Sequence, residues 1–313
     1  MSYTIGVDVG GTKIAAGVVN ESGEVLRSAR TTTPATEVDA VATTIANLVE
    51  QLRGTDEILA VGVGAAGFCD ATRSQVVYAP NLAWRNEPLR ERIEGATGLP
   101  TVVENDANAA AWGEFRFGAA KEADSAIVVT LGTGIGGGII VNNQLVRGFQ
   151  GFAGEIGHME IKAGGRRCGC GLRGCWERYG SGTALVHEAR EIATVAPAQA
   201  GRLLELAGGK AQDINGQMVT QAAQEGDPIA LDVIDTVARW VGRGLANLVA
   251  VLDPQMIVLA GGVASAGETL REPVERAFDR HLTARLYRQA PRICLAQLGV
   301  PAGLIGAADL ARL

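Results

Sequence analysis

No stretch of this 313-residue chain approaches the roughly 18 consecutive apolar residues needed to cross a bilayer. Its first residues, MSYTIGVDVGG, hold no basic cluster and run straight into a glycine-rich turn, so no export signal is expected and the expected location is the cytoplasm. Positive charge is also short. With 28 Lys and Arg against 34 Asp and Glu, the net charge is −6, and affinity for nucleic acid or an anionic membrane needs an excess of cations to release counterions. Small molecules are the expected partners, with no nucleic acid and no membrane. The pattern G-x-x-x-x-G-K-[ST] is missing, which excludes a P-loop. No C-x-x-C occurs, which weakens a thioredoxin-like redox role. No low-complexity stretch or charge run marks a linker.

What is present is core material. Hydrophobic residues make up 47% and charged residues 20% of the chain, and single cores usually stop growing well before this length, so two domains are expected. TIGVDVGGTKIAAGVV (4–19) has apolar runs on either side of a glycine turn and predicts a hairpin. AIVVTLGTGIGGGIIV (126–141) repeats that plan, with Thr130 in the place of Asp8 and Gly132 in the place of Gly10. Apolar residues at helical spacing predict helices over 38–52, 88–98 and 227–253, the last capped by Asp227 with Pro228 in its first turn. ILAVGVGAA (58–66) predicts a buried strand. TVVENDANAAAWGEF (101–115) predicts a strand running into a helix, MIVLAGGV (256–263) a strand, a glycine turn and a further helix, and 301–313 a closing helix. Strands alternating with helices indicate an α/β architecture.

Glycine-rich turns let backbone N–H groups approach a phosphate, so the turns at 10–11, 132–138 and 261–262 suggest a nucleotide. GVGAAG (62–67) fits the dinucleotide pattern G-x-G-x-x-G, but FCDATRSQVVYAP follows it without helical periodicity, so it is set aside. GTGIGG (132–137) also runs into a strand-like segment. DVGGTK (8–13) and LGTGIGGG (131–138) remain, two hairpin tips able to close on one phosphate chain, with Asp8 holding Mg²⁺ directly or through water and Thr12 and Lys13 meeting phosphate oxygens.

Cysteine is scarce at five residues and histidine scarcer at three, yet Cys168, Cys170 and Cys175 fall inside CGCGLRGCWE. In a reducing compartment such a cluster holds metal or does redox chemistry. His158, ten residues before Cys168, would complete a Cys₃His set for tetrahedral zinc, although C-x-C-x₄-C is not a common ligand spacing. His187 reads as an ordinary helix residue, His281 has no motif around it, and Cys69 and Cys294 read as packing residues.

Taken together, DVGGT, LGTGIGGG, ENDAN (104–108), GEIGH (154–158) and CGCGLRGCWE resemble the ROK family of bacterial sugar kinases and repressors, most closely its ATP-dependent glucokinase branch. The resemblance runs from Ile5 to the last helix. It implies an α/β, two-domain actin/hexokinase-like (ribonuclease H-like) fold with a cleft between domains: a small domain of 1–108 completed by 301–313, and a large domain of 109–300 carrying the zinc motif. It further implies phosphorylation of glucose at O6 by ATP, with Mg²⁺ and a structural Zn²⁺ on His158, Cys168, Cys170 and Cys175. Asp106 would be the catalytic base. Gly67, Asn81, Asn105, Asp106, Glu155, His158 and Glu177 would meet the sugar, and Asp8, Gly10, Gly11, Thr12, Lys13, Gly132, Thr133, Gly134, Gly261 and Gly262 would meet the nucleotide. One nitrogen of His158 would bind the metal while the other faces a hydroxyl.

Plainer roles compete. Asn105 or Asp106 would serve as an ordinary helix cap, Glu155 as a surface carboxylate, Glu177 as a cap or ion-pair partner, and Gly261–Gly262 as a simple turn. Family repressors read DNA through a segment ahead of the first glycine turn, and only seven residues precede Asp8, so the kinase branch is expected. The alternatives are a kinase for mannose, fructose or an N-acetylhexosamine, a sugar-binding regulatory protein, a polyphosphate-dependent enzyme, and a zinc knuckle for nucleic acid. The knuckle would want stacking aromatics, and Trp176 is the only one nearby. The family implies a homodimer or homotetramer.

Overall fold

The computed structural model describes residues 2–80 and 82–313, with Val38 described by its backbone alone. Alternating apolar residues make β1 (Tyr3–Val9), and the chain reverses tightly into β2 (Lys13–Val19) before β3 (Val25–Thr32) adds a third antiparallel strand. Helix α1 (Val38–Arg53) crosses over to β4 (Ile58–Ala65), parallel to β1. A small antiparallel ribbon follows, formed by β5 (Phe68–Cys69), β6 (Val76–Tyr78) and β7 (Arg85–Glu87). GVGAAG therefore leads into a strand and presents no helix N-terminus. Helix α2 (Leu89–Thr97) ends where Gly98 turns left-handed, at φ 68°. It leads to β8 (Thr101–Asn105), parallel to β4, so the first sheet runs β3-β2-β1-β4-β8. Helix α3 (Asp106–Phe117) follows β8 directly.

The second sheet repeats the plan. Strands β9 (Ala126–Leu131), β10 (Ile135–Val141), β11 (Gln144–Leu145), β12 (Met256–Ala260) and β13 (Arg292–Leu295) run in the order β11-β10-β9-β12-β13. Before β12 lie α4 (Glu177–Gly180), α5 (Gly182–Val195), α6 (Gly201–Leu206), α7 (Gly216–Gln224) and α8 (Pro228–Leu252). Asp227 caps α8 by accepting from the Ala230 N–H at 2.8 Å, as its sequence position predicts. After β12 the expected helix starts late. Gly262–Ala266 form a 3₁₀ turn, Gly267 adopts φ 66°, and only then does α9 (Glu268–His281) begin. Helix α10 (Ala302–Leu310) closes the fold. Among the described residues no helix is long and apolar enough to cross a membrane.

By their internal contacts the residues group into two compact units, one of Met1–Val128, Gly137–Gly154 and Gln297–Leu313, the other of Val129–Gly136 and Glu155–Ala296. In the first, Ile5, Val7 and Val9 point to one face of the sheet and share a core with Ile45, Val49 and Leu52 of α1. The alternate residues Gly6 and Asp8 face α10, because side chains along a strand alternate sides. Every residue of α10 is buried. Leu304, Ile305 and Leu310 alone contribute about 1.5 to 3 kcal/mol each by leaving water.

That helix packs at backbone distance. A Cβ on Gly6 would overlap the Leu304 carbonyl oxygen, one on Gly62 that of Ala307, and one on Gly306 that of Ala109 in α3. Gly62→Ala is expected to cost about 3 kcal/mol or more, since neither backbone can yield. Gly95→Ala, on the open face of α2 with no atom within 4 Å, is expected to leave stability unchanged or raise it by up to about 1 kcal/mol. Urea unfolding of the two variants measures the contrast, and equal midpoints would refute the packing account.

Candidate active site

Within the first unit, the tip between β1 and β2 is closed by the Gly10 N–H donating to the Lys13 carbonyl at 3.0 Å. Thr33 braces it from outside. Its hydroxyl donates to the Gly10 carbonyl at 2.7 Å and its N–H to the Thr12 carbonyl at 3.1 Å. Asp8 stands half-buried on the α10 face of β1, and the glycine at 303 leaves room for it, a Cβ there falling 3.5 Å from its carboxyl carbon. Burial pushes the Asp8 carboxyl above the usual carboxylate range, and the charge of Lys13 opposes it. No side chain among the described residues donates a hydrogen bond to this carboxylate, a condition that suits a bound cation. Lys13, Arg30, Asp8 and Pro301 line a cavity of about 590 Å³.

At the junction of β8 and α3, Asn105 caps the helix. Its Oδ1 accepts from the Asn108 N–H at 3.0 Å, and its Nδ2 donates to the Gly67 carbonyl at 3.1 Å. One lone pair and one amide hydrogen of Asn105 remain for another partner. Asp106 is the first residue of α3 and half-buried, and its Oδ1 accepts from the Ala107 N–H at 2.9 Å. Gly67 must be glycine because the β5–β6 ribbon passes close: a Cβ would lie 2.6 Å from the Tyr78 carbonyl oxygen. Structure thus joins Gly67, Asn105 and Asp106. Asn81 lies outside the described residues.

Within the second unit, the turn Gly132–Gly134 is held by the start of α5. The Gly182 N–H donates to the Gly132 carbonyl at 2.7 Å and the Thr183 hydroxyl to the Thr133 carbonyl at 2.6 Å. Gly132, Thr133 and Gly262 line a cavity of about 1090 Å³ whose far wall comes from α5 and the start of α7, including His187, Arg190, Asn215 and Gln217. Gly261 adopts φ 88°, and a Cβ there would press on the Leu131 backbone, so the position suits glycine on both counts.

The cysteine motif is a short hairpin, Arg167 opposite Arg173 and Glu160 opposite Cys175. Trp176 roots it. The indole is fully buried over Gly244 of α8 and donates to the Trp240 carbonyl at 2.8 Å. His158, Cys168, Cys170 and Cys175 each offer a ligand atom, all within 4.8 Å of one another. Cys168 Sγ lies 3.6 Å from His158 Nδ1, and the sulfurs of Cys170 and Cys175 are 3.6 Å apart. Tetrahedral zinc, with bonds of about 2.3 Å to sulfur and 2.0 Å to nitrogen, sets its ligands roughly 3.5 to 3.8 Å apart. The four residues fit such an ion.

The carboxylates gather beside this cluster. His158 turns its Nε2 to Glu155, 3.9 Å from Oε2, and Glu177 accepts from the Cys168 thiol at 2.9 Å. Glu177 also lies over the second turn, its Oε2 only 2.5 Å from where a Cβ of Gly134 would be. Burial raises the Glu155 carboxyl above its ordinary range; the charge of His158 lowers it and that of Glu177 raises it further. Burial and then the hydrogen bond to Glu177 push the Cys168 thiol up, and a bound cation would oppose that shift.

Sequence reasoning missed the brace at Thr33 and the cavity wall on α5 and α7. It placed His187 on a helix, where it is, but not against a cavity. A lone threonine, or a polar helix face far along the chain, carries no local pattern from which to infer either.

Fold and site together define a mixed α/β protein of the actin/hexokinase-like class. Residues 4–313 match the ROK family. The chain is 48% identical over 312 residues to the glucokinase of Streptomyces coelicolor, covering 100% of this chain and 98% of that protein. It is 36% identical to the glucokinase of Halalkalibacterium halodurans, over 97% of this chain and 93% of the relative. Among solved structures, a ROK family glucokinase from Streptomyces griseus in complex with glucose and AMPPNP superposes with a TM-score of 0.92, at 48% identity and 99% coverage of both chains. The chain belongs to the ROK family.

Elemental analysis of the purified protein is expected to find about one equivalent of a thiophilic divalent ion per chain, because four ligand atoms within 4.8 Å of one another match the number and types that a structural zinc takes. Cys175→Ser is expected to lose it and to open the 159–176 segment to protease. A full complement of metal in that variant would remove Cys175 from the ligand set.

Proposed function

We propose that this chain transfers the terminal phosphoryl group of ATP to O6 of glucose, with Asp106 as general base and a structural zinc on His158, Cys168, Cys170 and Cys175. The observation that carries the proposal is the likeness, along the whole chain, to a glucokinase solved with glucose and AMPPNP. The side-chain chemistry supports it. A hexose hydroxyl set beside Asp106 passes its proton to that carboxylate as O6 attacks the γ-phosphorus, and the bond from phosphorus to the β,γ-bridging oxygen breaks to release ADP. Phosphoryl transfer through a loose transition state asks for little early proton removal, so orientation of the hydroxyl is the main task of Asp106.

Other residues bind and orient. Glu155, Glu177 and the free Nε2 of His158 are acceptors and donors suited to sugar hydroxyls, and Asn105 retains an amide hydrogen for one more. The backbone N–H groups of Gly11, Thr12, Thr133 and Gly134, with the Thr12 hydroxyl and the Lys13 ammonium, suit phosphate oxygens, while the Gly10 and Gly132 N–H groups close their own turns. Gly262 borders the large cavity, which would take the purine and ribose, and Gly261 sets the turn before it. Asp8 suits the magnesium ion that accompanies ATP, which when bound offsets phosphate charge. Zinc supplies only a cross-link between the segments carrying Glu155 and Glu177.

The test is a coupled ADP-release assay over a panel of hexoses and phosphoryl donors, in which glucose with ATP is expected to give the highest kcat/KM. Absence of turnover with every hexose would defeat the proposal. Asp106→Asn is expected to lower kcat by about 10² to 10⁴ while changing glucose affinity little. Undiminished turnover in that variant would remove Asp106 as the base.

A further inference from the structure

Glu104 is an acidic side chain sealed inside the first unit, 3% exposed, and the reaction above makes no use of it. Its Oε2 accepts from Arg147 Nε at 2.7 Å and lies 3.7 Å from Arg73 Nε. Its Oε1 accepts from Asn108 Nδ2 at 3.0 Å and from the Asn105 N–H at 3.2 Å. A buried carboxylate of this kind adds little to stability, since desolvation offsets its attractions and an apolar group of the same shape often does as well. Its value lies in what it holds in register.

The partners belong to three segments. Arg147 opens the loop 147–154, which folds back through the Ala153 N–H donating to the Arg147 carbonyl at 3.0 Å and docks edge-on through Phe152 against Phe68, 5.2 Å between ring centres. Arg73 sits at φ 58° in the loop before β6 and donates to the Leu310 carbonyl of α10 at 2.9 Å. Burial, with the charge of Arg147, brings its guanidinium down to about 10, and Glu104 opposes that fall. Asn108, fixed by Glu104, gives its N–H to the Asn105 side chain, which in turn holds Gly67. Arg147, Glu104, Asn108, Asn105 and Gly67 form one chain of contacts that runs through the first turn of α3.

We infer that Glu104 is a positioning residue for Asp106. Its carboxylate ties the first turn of α3 to the 147–154 loop and to Gly67, and Arg147 supplies its counter-charge. The inference rests on the proposal that Asp106 acts on a hexose hydroxyl.

The test compares Glu104→Gln, Arg147→Met, Arg147→Lys and the double variant Glu104→Gln with Arg147→Met, each checked for folding by circular dichroism. Misplacement of a reacting group by an ångström costs up to about 10²-fold, so Glu104→Gln and Arg147→Met are expected to lower kcat about tenfold or more and to raise the KM for glucose. The KM for ATP should stay within about twofold, as only the sugar side is disturbed. The double variant should be no worse than the poorer single. Arg147→Lys, which keeps the charge, should recover to within about threefold of the unsubstituted protein. A kcat and glucose KM unchanged in Glu104→Gln, or a loss that merely tracks the folded fraction with both KM values held, would overturn the inference. Hydrogen exchange gives an arm independent of turnover. Glu104→Gln should speed exchange at residues 105–108 and 147–154 and leave α8 unchanged, and unaltered exchange there would also overturn it. If the unsubstituted chain phosphorylated no hexose, the kinase proposal would fail while this arm still decided whether Glu104 holds these segments.

Discussion

Contact between bare backbones, α10 against β1, β4 and α3, is the constraint on which the first unit depends. Where a helix meets a sheet through side chains, a small error is absorbed by a change of rotamer. Here Gly6, Gly62 and Gly306 meet carbonyl groups directly, and at those three points no soft atom stands between the elements. Two buried carboxylates then fix the fit along the helix axes. Asp309 accepts from Trp112 Nε1 at 2.8 Å, and Glu114 accepts from the N–H groups of Gln297 at 3.1 Å and Leu298 at 2.8 Å. The consequence reaches the chemistry. Gly303 of α10 sits against Asp8, and the first turn of α3 sits against β4, with Asp106 Cα 3.7 Å from where a Cβ of Gly64 would be. Both carboxylates are therefore placed by rigid elements, which is what their proposed roles would require, since a reacting geometry is only as precise as the scaffold behind it.

The second unit solves the same problem with less backbone. Its carboxylates stand beside a hairpin whose tip holds no helix or long strand. Trp176 and Tyr179 root that hairpin on α8 and under Arg166, whose N–H donates to the Tyr179 hydroxyl at 2.6 Å, but each such bond contributes about 1 kcal/mol net. A structural zinc contributes about 10 to 16 kcal/mol of apparent binding free energy in small modules. On that comparison an ion bound by His158 and the three cysteines would outweigh every other anchor of the tip. Metal at the cluster and the orientation of Glu155 and Glu177 are one question.

Legibility in the sequence followed the range of the interactions. Hairpins, the β8–α3 junction and the cap at Asp227 rest on neighbours a few residues apart, so DVGGTK, ENDAN and DPIALD announce them. The cysteine cluster was legible because His158 and Cys175 are only 17 positions apart in one continuous segment. Thr33, Arg147 and the α5–α7 wall were not, since each acts on a residue far along the chain that only the fold brings near. Glycine misled in both directions. GVGAAG looked like a dinucleotide turn to be explained away, and the structure gives Gly62 another purpose, close passage of α10, which no local pattern could reveal. Asn105 shows two roles in one side chain: it is a helix cap, as its position after a strand suggests, and the link to Gly67 as well.

Charge explains how an acidic chain can be suited to a nucleotide polyanion. In the first unit Asp8 and Asp106 are carboxylates, and the cations beside Asp8 in its cavity are Lys13 and Arg30; in the second, Glu155 and Glu177 stand together. Two unit charges 4 Å apart interact by about 4 kcal/mol at an effective dielectric of 20, so several phosphate charges near Asp8 would cost more than two flexible side chains return. On the proposed reading, neutral backbone N–H groups at the glycine turns would avoid that cost, because they can donate to phosphate without adding charge that must be balanced when the site is empty. The remaining imbalance calls for a cation that arrives with the nucleotide and leaves with the product. The raised pKa of Asp8 fits this division: a carboxylate buried without donors is poorly stabilised as an anion until a cation comes. Carboxylates can then serve where the ligand is uncharged, accepting from sugar hydroxyls, and the same acidic composition that argues against nucleic acid becomes an asset for a hexose.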